Sequence, residues 1–99
     1  MLFSSSLFAK EQTGIASWYG SGNKTLIKSN NKAPYAAHKI LKLGSKALIT
    51  SVKTKKSVIV TIVDRGPYAH DRILDVNIFA AKQLGMLEKG ITKVTLTPL

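Results

Sequence analysis

The run Ser57-Val58-Ile59-Val60-Thr61-Ile62-Val63 narrows what this chain can become more than any other stretch. β-branched residues crowd it, which favours a strand. Val58, Val60 and Ile62 fall on one face and Ile59, Thr61 and Val63 on the other. Both faces are largely apolar, so the strand belongs in a barrel or between layers, with little of it facing water. Ser45 to Val52 is a second β-rich run, and Lys53-Thr54-Lys55-Lys56 between the two suits an antiparallel hairpin. Ninety-nine residues support one core and no sandwich of long strands. A small closed barrel meets these constraints, because closure removes exposed edges.

The remaining segments agree with a mainly β chain. Gly14-Ile15-Ala16-Ser17-Trp18-Tyr19-Gly20 reads as a strand closed by glycine, with Ile15, Ser17 and Tyr19 on one face and Ala16 and Trp18 on the other. Ser21 to Pro34 is a long polar loop with asparagines and lysines but no carboxylate. Ile73-Leu74-Asp75-Val76 is a short strand. Asn77 is placed to cap a brief helix through Leu84, with Ala80 and Leu84 on one face and Gly85 free to take the left-handed stop. Ile91 to Thr97 alternates, Val94 and Leu96 inward and Lys93, Thr95 and Thr97 outward, and makes a closing strand. Residues 1–13 are read as a leader remnant or flexible arm, and 14–99 as the folded domain.

Fifteen Lys and Arg against five Asp and Glu give a formal net charge of +10, so the surface attracts polyanions. The lysines are spread from Lys10 to Lys93 rather than gathered on one helix, and there is no interleaved aromatic platform. That argues against specific nucleic-acid recognition. Without cysteine there is neither a disulfide nor a thiolate metal site, and no other residues stand at metal-ligand spacing. No apolar stretch is long enough to suggest a spanning helix.

Three of the five acidic residues, Asp64, Asp71 and Asp75, fall within Ile62–Val76 together with His70. An apolar run delivers Asp64 to a loop that Gly66 and Pro67 force to turn, and loops at strand ends display reactive groups. Taken alone, Asp64 is more commonly a turn cap paired with Arg65 or Arg72. His38 sits among small residues in Tyr35-Ala36-Ala37-His38-Lys39, the setting of a closely packed imidazole, more often structural than catalytic. Trp18 is core filling or the wall of a sugar groove. Asp75 is expected to hold Arg72 or loop amides, and His70 and Asp71 to lie on the surface.

Several motifs in order, GIASWYG at 14–20, AAHK at 36–39, DRGPY at 64–68, RILDV at 72–76 and AAKQLGM at 80–86, together resemble the RlpA (rare lipoprotein A) family. The resemblance covers Gly14 to Leu96. It implies a six-stranded double-psi β-barrel with one short helix, related in fold to expansins. It also implies a peptidoglycan lytic transglycosylase that cleaves glycan strands to 1,6-anhydro-muramoyl ends. Its catalytic aspartate and histidine match Asp64 and His38, with Trp18, Tyr19, Arg65 and Tyr68 as substrate-binding residues and no metal or cofactor. The glutamate that the family carries before its AAH motif has no counterpart in residues 21–34. The alternative implied by that loss is a non-catalytic, expansin-like module that binds wall polysaccharide. The expected partner is the peptidoglycan glycan strand, engaged by a monomer in the cell envelope, periplasmic or secreted, with an incomplete export signal.

Overall fold

A computed structural model describes residues 10–18 and 32–99. Six strands and one helix follow in order: β1 (Gln12–Trp18), β2 (Tyr35–His38), β3 (Lys46–Ser51), β4 (Ser57–Asp64), β5 (Arg72–Val76), α1 (Ile78–Leu84) and β6 (Ile91–Pro98). The strands close into a barrel in the order β1-β5-β2-β4-β3-β6. Two neighbouring pairs are parallel, β1 with β5 and β2 with β4, and the other four are antiparallel. Each parallel pair carries a register shift, at Ile15/Ala16 and at Ala36/Ala37, and such bulges re-aim side chains and add twist. Among the described residues the class is therefore mainly β with one short helix, and the six-stranded barrel is closed.

β3 and β4 form the expected hairpin, from Lys46 opposite Thr61 to Thr50 opposite Ser57. Its turn is fastened by the Ser51 hydroxyl, which accepts the Thr54 N–H at 3.2 Å, and by Lys55, which takes a positive φ of 69°. β1 begins at Gln12, two residues before the glycine at which its apolar pattern starts, because Gln12 and Thr13 pair with Leu96 and Thr95 of β6. The barrel interior is filled by Ile49, Val60, Ile62, Leu74, Val76, Val94 and Leu96, all fully buried. The two faces of β4 fare differently. Val60 and Ile62 enter the core, whereas Ile59 is 49 % exposed. A closed barrel has one interior, and here the outer face of β4 is only partly covered.

α1 seals the barrel with Ala80, Ala81 and Leu84 buried. Asn77 caps it, its Oδ1 accepting the Ala80 N–H at 3.1 Å, and Gly85 ends it in the left-handed conformation at φ 72°. The same Asn77 ties the helix to the start of β2. Its backbone N–H donates to the Tyr35 carbonyl at 2.9 Å, its Oδ1 accepts the Tyr35 N–H at 3.2 Å and its Nδ2 donates to the Ala33 carbonyl at 2.7 Å. No helix among the described residues is long and apolar enough to cross a membrane.

Candidate functional site

The barrel gathers the chemistry onto one row that crosses four strands. Ser17 of β1 stands opposite Asp75 of β5, Asp75 opposite Ala37 of β2, and Ala37 opposite Asp64 at the end of β4. Residues far apart in sequence thus share one line, with the smallest side chain of the row in the middle. Leu74 and Val76 on either side of Asp75 are fully buried in the core, and strand alternation turns Asp75 to the opposite face. At neighbour spacings of about 4.8 Å, the Cα atoms of Asp64 and Asp75 lie roughly 10 Å apart across Ala37.

Asp64 is half-buried at the exit of β4. Its Oδ1 accepts the Arg65 N–H at 2.8 Å, which holds the carboxyl at the mouth of the turn. Gly66 follows with φ 125°, in a region open essentially to glycine, and the Gly66–Pro67 peptide is cis. Both residues are buried, and Tyr68 beyond them is 87 % exposed. An aromatic ring this exposed beside a carboxyl is available for stacking on a sugar face.

His38 is 2 % exposed, and both ring nitrogens are engaged. Nδ1 accepts the Ile40 and Leu41 N–H groups at 3.1 and 3.0 Å, so it carries no proton; Nε2–H then donates to Gln12 Oε1 at 3.3 Å. Burial, then the charges of Arg65 and Lys39, push the imidazole below its ordinary value, so it is neutral in the fold. His38 meets the Asp64 loop through its backbone. Arg65 Nη1 donates to the His38 carbonyl at 3.2 Å and to the Leu41 carbonyl at 2.7 Å. The motif histidine thus shapes the 38–41 turn, and the motif arginine docks the DRGP turn onto it.

Asp75 departs from the role its sequence context suggests. Its Oδ1 accepts the hydroxyl hydrogen of Ser17, which is 6 % exposed. Burial raises its carboxyl above the ordinary aspartate range, while the Ser17 hydrogen bond and then the Arg72 charge offset part of that rise. Arg72 itself lies 3.9 Å from Asp71, and its buried Nε has no hydrogen-bond partner. A carboxylate between two apolar residues of a strand was the one visible signal; its partner lies 58 residues away.

Trp18 is partly buried against the core, at the end of the strand that carries Ser17. Tyr19 lies outside the described residues. His70 and Asp71 are exposed, as expected. No group of three His, Cys, Asp or Glu among the described residues is arranged to hold a metal ion. A separate cleft of about 440 Å³ opens between Lys53, Lys82 and Lys89 over Met86, Leu87 and Ile91. It contains neither Asp64 nor Asp75.

The lytic transglycolase family model (DPBB_1) matches residues 11–96. The endolytic peptidoglycan transglycosylase RlpA of Neisseria meningitidis serogroup A is 44 % identical over 88 residues, covering 84 % of this chain and 37 % of the relative. The RlpA of Haemophilus influenzae is 40 % identical over 91 residues, covering 87 % of this chain and 32 % of its own length. The chain spans about a third of the curated relatives it matches. Among solved structures, a variant expansin of Clavibacter michiganensis in complex with cellohexaose superposes with a TM-score of 0.68 at 19 % identity, covering 90 % of this chain and 50 % of the expansin. That likeness shows the barrel alone. With a family model covering nearly every residue from β1 to β6, the chain belongs to the lytic transglycolase family of double-psi β-barrels, alongside the RlpA proteins.

Proposed function

We propose that this domain cleaves peptidoglycan glycan strands as a lytic transglycosylase, leaving 1,6-anhydro-muramoyl ends, with Asp64 as a catalytic carboxyl. The observation that carries this reading is the row Ser17–Asp75–Ala37–Asp64, which presents carboxyl groups either side of an alanine in a chain that belongs to this family. The reaction needs no water. The muramoyl C6 hydroxyl attacks its own anomeric carbon, so the site must place a proton on the leaving oxygen and remove one from the C6 hydroxyl. Substrate N-acetyl participation is available to assist the departure. His38 supports this work from behind, by holding the turn on which Arg65 fixes the Asp64 loop. Arg65, Tyr68 and Trp18 are assigned to binding the sugar chain, as is Tyr19, which lies outside the described residues. The +10 charge favours the carboxylates and anionic polymers of the wall, which supports a reading in which the protein works in the cell envelope, as a monomer on its substrate.

A second reading, a non-catalytic module that binds wall polysaccharide as expansin-type barrels do, is favoured by the absence of any carboxylate between Tyr19 and Pro34. One experiment separates them. Purified sacculi and amidase-treated strands are digested with the native protein and with Asp64→Asn, and the products are analysed by mass spectrometry. Anhydro-muropeptides released by the native protein and lost in the variant support cleavage. Cosedimentation of both proteins without any product sinks it.

A further inference from the structure

We propose that Asp75 is the general acid of this site, working opposite Asp64 and tuned by Ser17 as its positioning residue. The inference rests on the transglycosylase reading above and names a carboxyl that its motifs leave without a catalytic role.

The geometry carries it. Asp75 stands in register with Ala37, and Ala37 with Asp64, so one residue without a bulky side chain separates the two carboxyl-bearing positions. The Cα atoms of the two aspartates lie roughly 10 Å apart, on either side of Ala37. The surroundings of the two carboxyl groups differ. Asp64 Oδ1 accepts the Arg65 backbone N–H at the exposed turn. Asp75 is half-buried between strands, where desolvation opposes its ionisation, and it accepts the Ser17 hydroxyl hydrogen. The charged and titratable groups around it are Arg72 on its own strand, Asp64 beyond Ala37 on β4, and His38 on β2, which faces Gln12 and the 40–41 amides with its ring. From β1 it meets the uncharged Ser17.

In the step itself, the Asp75 O–H proton passes to the glycosidic oxygen as the bond from that oxygen to the muramoyl anomeric carbon breaks. The C6 hydroxyl oxygen bonds to the same carbon, and its proton passes to the Asp64 carboxylate. One C–O bond breaks, one C–O bond forms and one proton is given and one taken. Asp64 then loses its proton to water and Asp75 regains one. Two aspartates of the barrel thereby do the work for which the loop glutamate is missing.

The test uses the full chain on amidase-treated strands, with anhydro ends counted by mass spectrometry across pH. Asp75→Asn is expected to slow release by about 10²–10⁴-fold, the ordinary worth of a general acid, with an unchanged circular dichroism spectrum. Ser17→Ala removes the bond that favours the ionised form, so the alkaline limb of the rate profile moves to higher pH; a purely structural serine would lower the rate without moving that limb. Native cleavage with Asp75→Asn equally active, or an unmoved limb in Ser17→Ala, overturns the role of Asp75 and leaves the transglycosylase reading standing. Absence of product from the native protein overturns both.

Discussion

Arg65 reaches from the exit of β4 to the turn that follows His38, its Nη1 donating to the carbonyl oxygens of both His38 and Leu41. One guanidinium nitrogen thus ties the DRGP turn to the AAHK turn, although the two are 27 residues apart in the chain. Lysine offers a single flexible ammonium in place of a planar fork and does not reproduce that grip. Arg65→Lys is expected to slow glycan cleavage while costing only about 1 kcal/mol of stability, because the side chain is exposed and water competes for its bonds. Cleavage assays alongside urea unfolding check the split. A large stability loss with unchanged cleavage would assign the arginine to the fold alone.

His38 gives the domain a pH dependence with a definite sign. Its neutral ring accepts two amides through Nδ1 and is held below the ordinary histidine value of 6.5. The unfolded chain therefore takes a proton first. Stability from this group is complete above about pH 6.5 and declines as the pH falls below it, by at most about 1.4 kcal/mol per pH unit and less where solvent screens the neighbouring charges. Urea midpoints between pH 7.5 and 5 should fall in the native protein and stay flatter in His38→Gln. A flat native profile would show that the ring titrates normally.

What the residues revealed in advance is what local rules govern. The β3–β4 hairpin was legible from alternation and a short polar connection, and α1 from Asn77 and Gly85 at its ends. The strand character of Tyr35–His38 was not. Four residues with two alanines have no period of their own, and they are extended because β4 and β5 pair with them on either side. The Ser17–Asp75 bond was hidden for the same reason, since parallel pairing across a barrel leaves no mark on either segment. The small residues around His38 indicate a closely packed imidazole, but its partners Gln12, Ile40 and Leu41 are set by the fold.

Asn77 concentrates an unusual share of the architecture in one side chain. It is 1 % exposed and its amide both caps α1 and pairs with the start of β2. Removing it takes away a helix cap and the bonds that its amide makes to the Tyr35 N–H and the Ala33 carbonyl. Asn77→Ala is expected to cost about 2–4 kcal/mol by chemical denaturation. Asn77→Asp keeps the cap oxygen and loses the Nδ2 donor, so it should fall between the two.

Gly14 is required by a neighbour rather than by its backbone. A Cβ at this position would stand 2.8 Å from Ile73 Cγ2 on β5, closer than side chains tolerate. Gly14→Ala should destabilise by about 1–3 kcal/mol, and Ile73→Ala in the same chain should return part of that loss. The two substitutions are then non-additive in a double-mutant cycle. Additive losses would mean that β1 and β5 part to admit the methyl group and that the close approach carries no energetic weight.

Asp75 sets stability against activity. Its carboxyl is raised by burial, so the fold prefers it protonated; its favourable contribution is present below the unfolded value near 3.8 and is lost as the pH rises through the folded one. Once ionised, the carboxyl is therefore a charge that the barrel would hold more easily as a neutral group. Asparagine has nearly the same shape, and its Oδ1 can still accept from Ser17. Asp75→Asn should melt at a higher temperature than the native protein at pH 7, with the difference shrinking or reversing near pH 4, while Asp75→Ala, which strands the buried Ser17 hydroxyl, should not gain. Thermal melts at the two pH values decide it. A lower melting temperature for Asp75→Asn at pH 7 would mean that the ionised carboxyl stabilises the fold, and that its burial is structural rather than held in place for proton transfer.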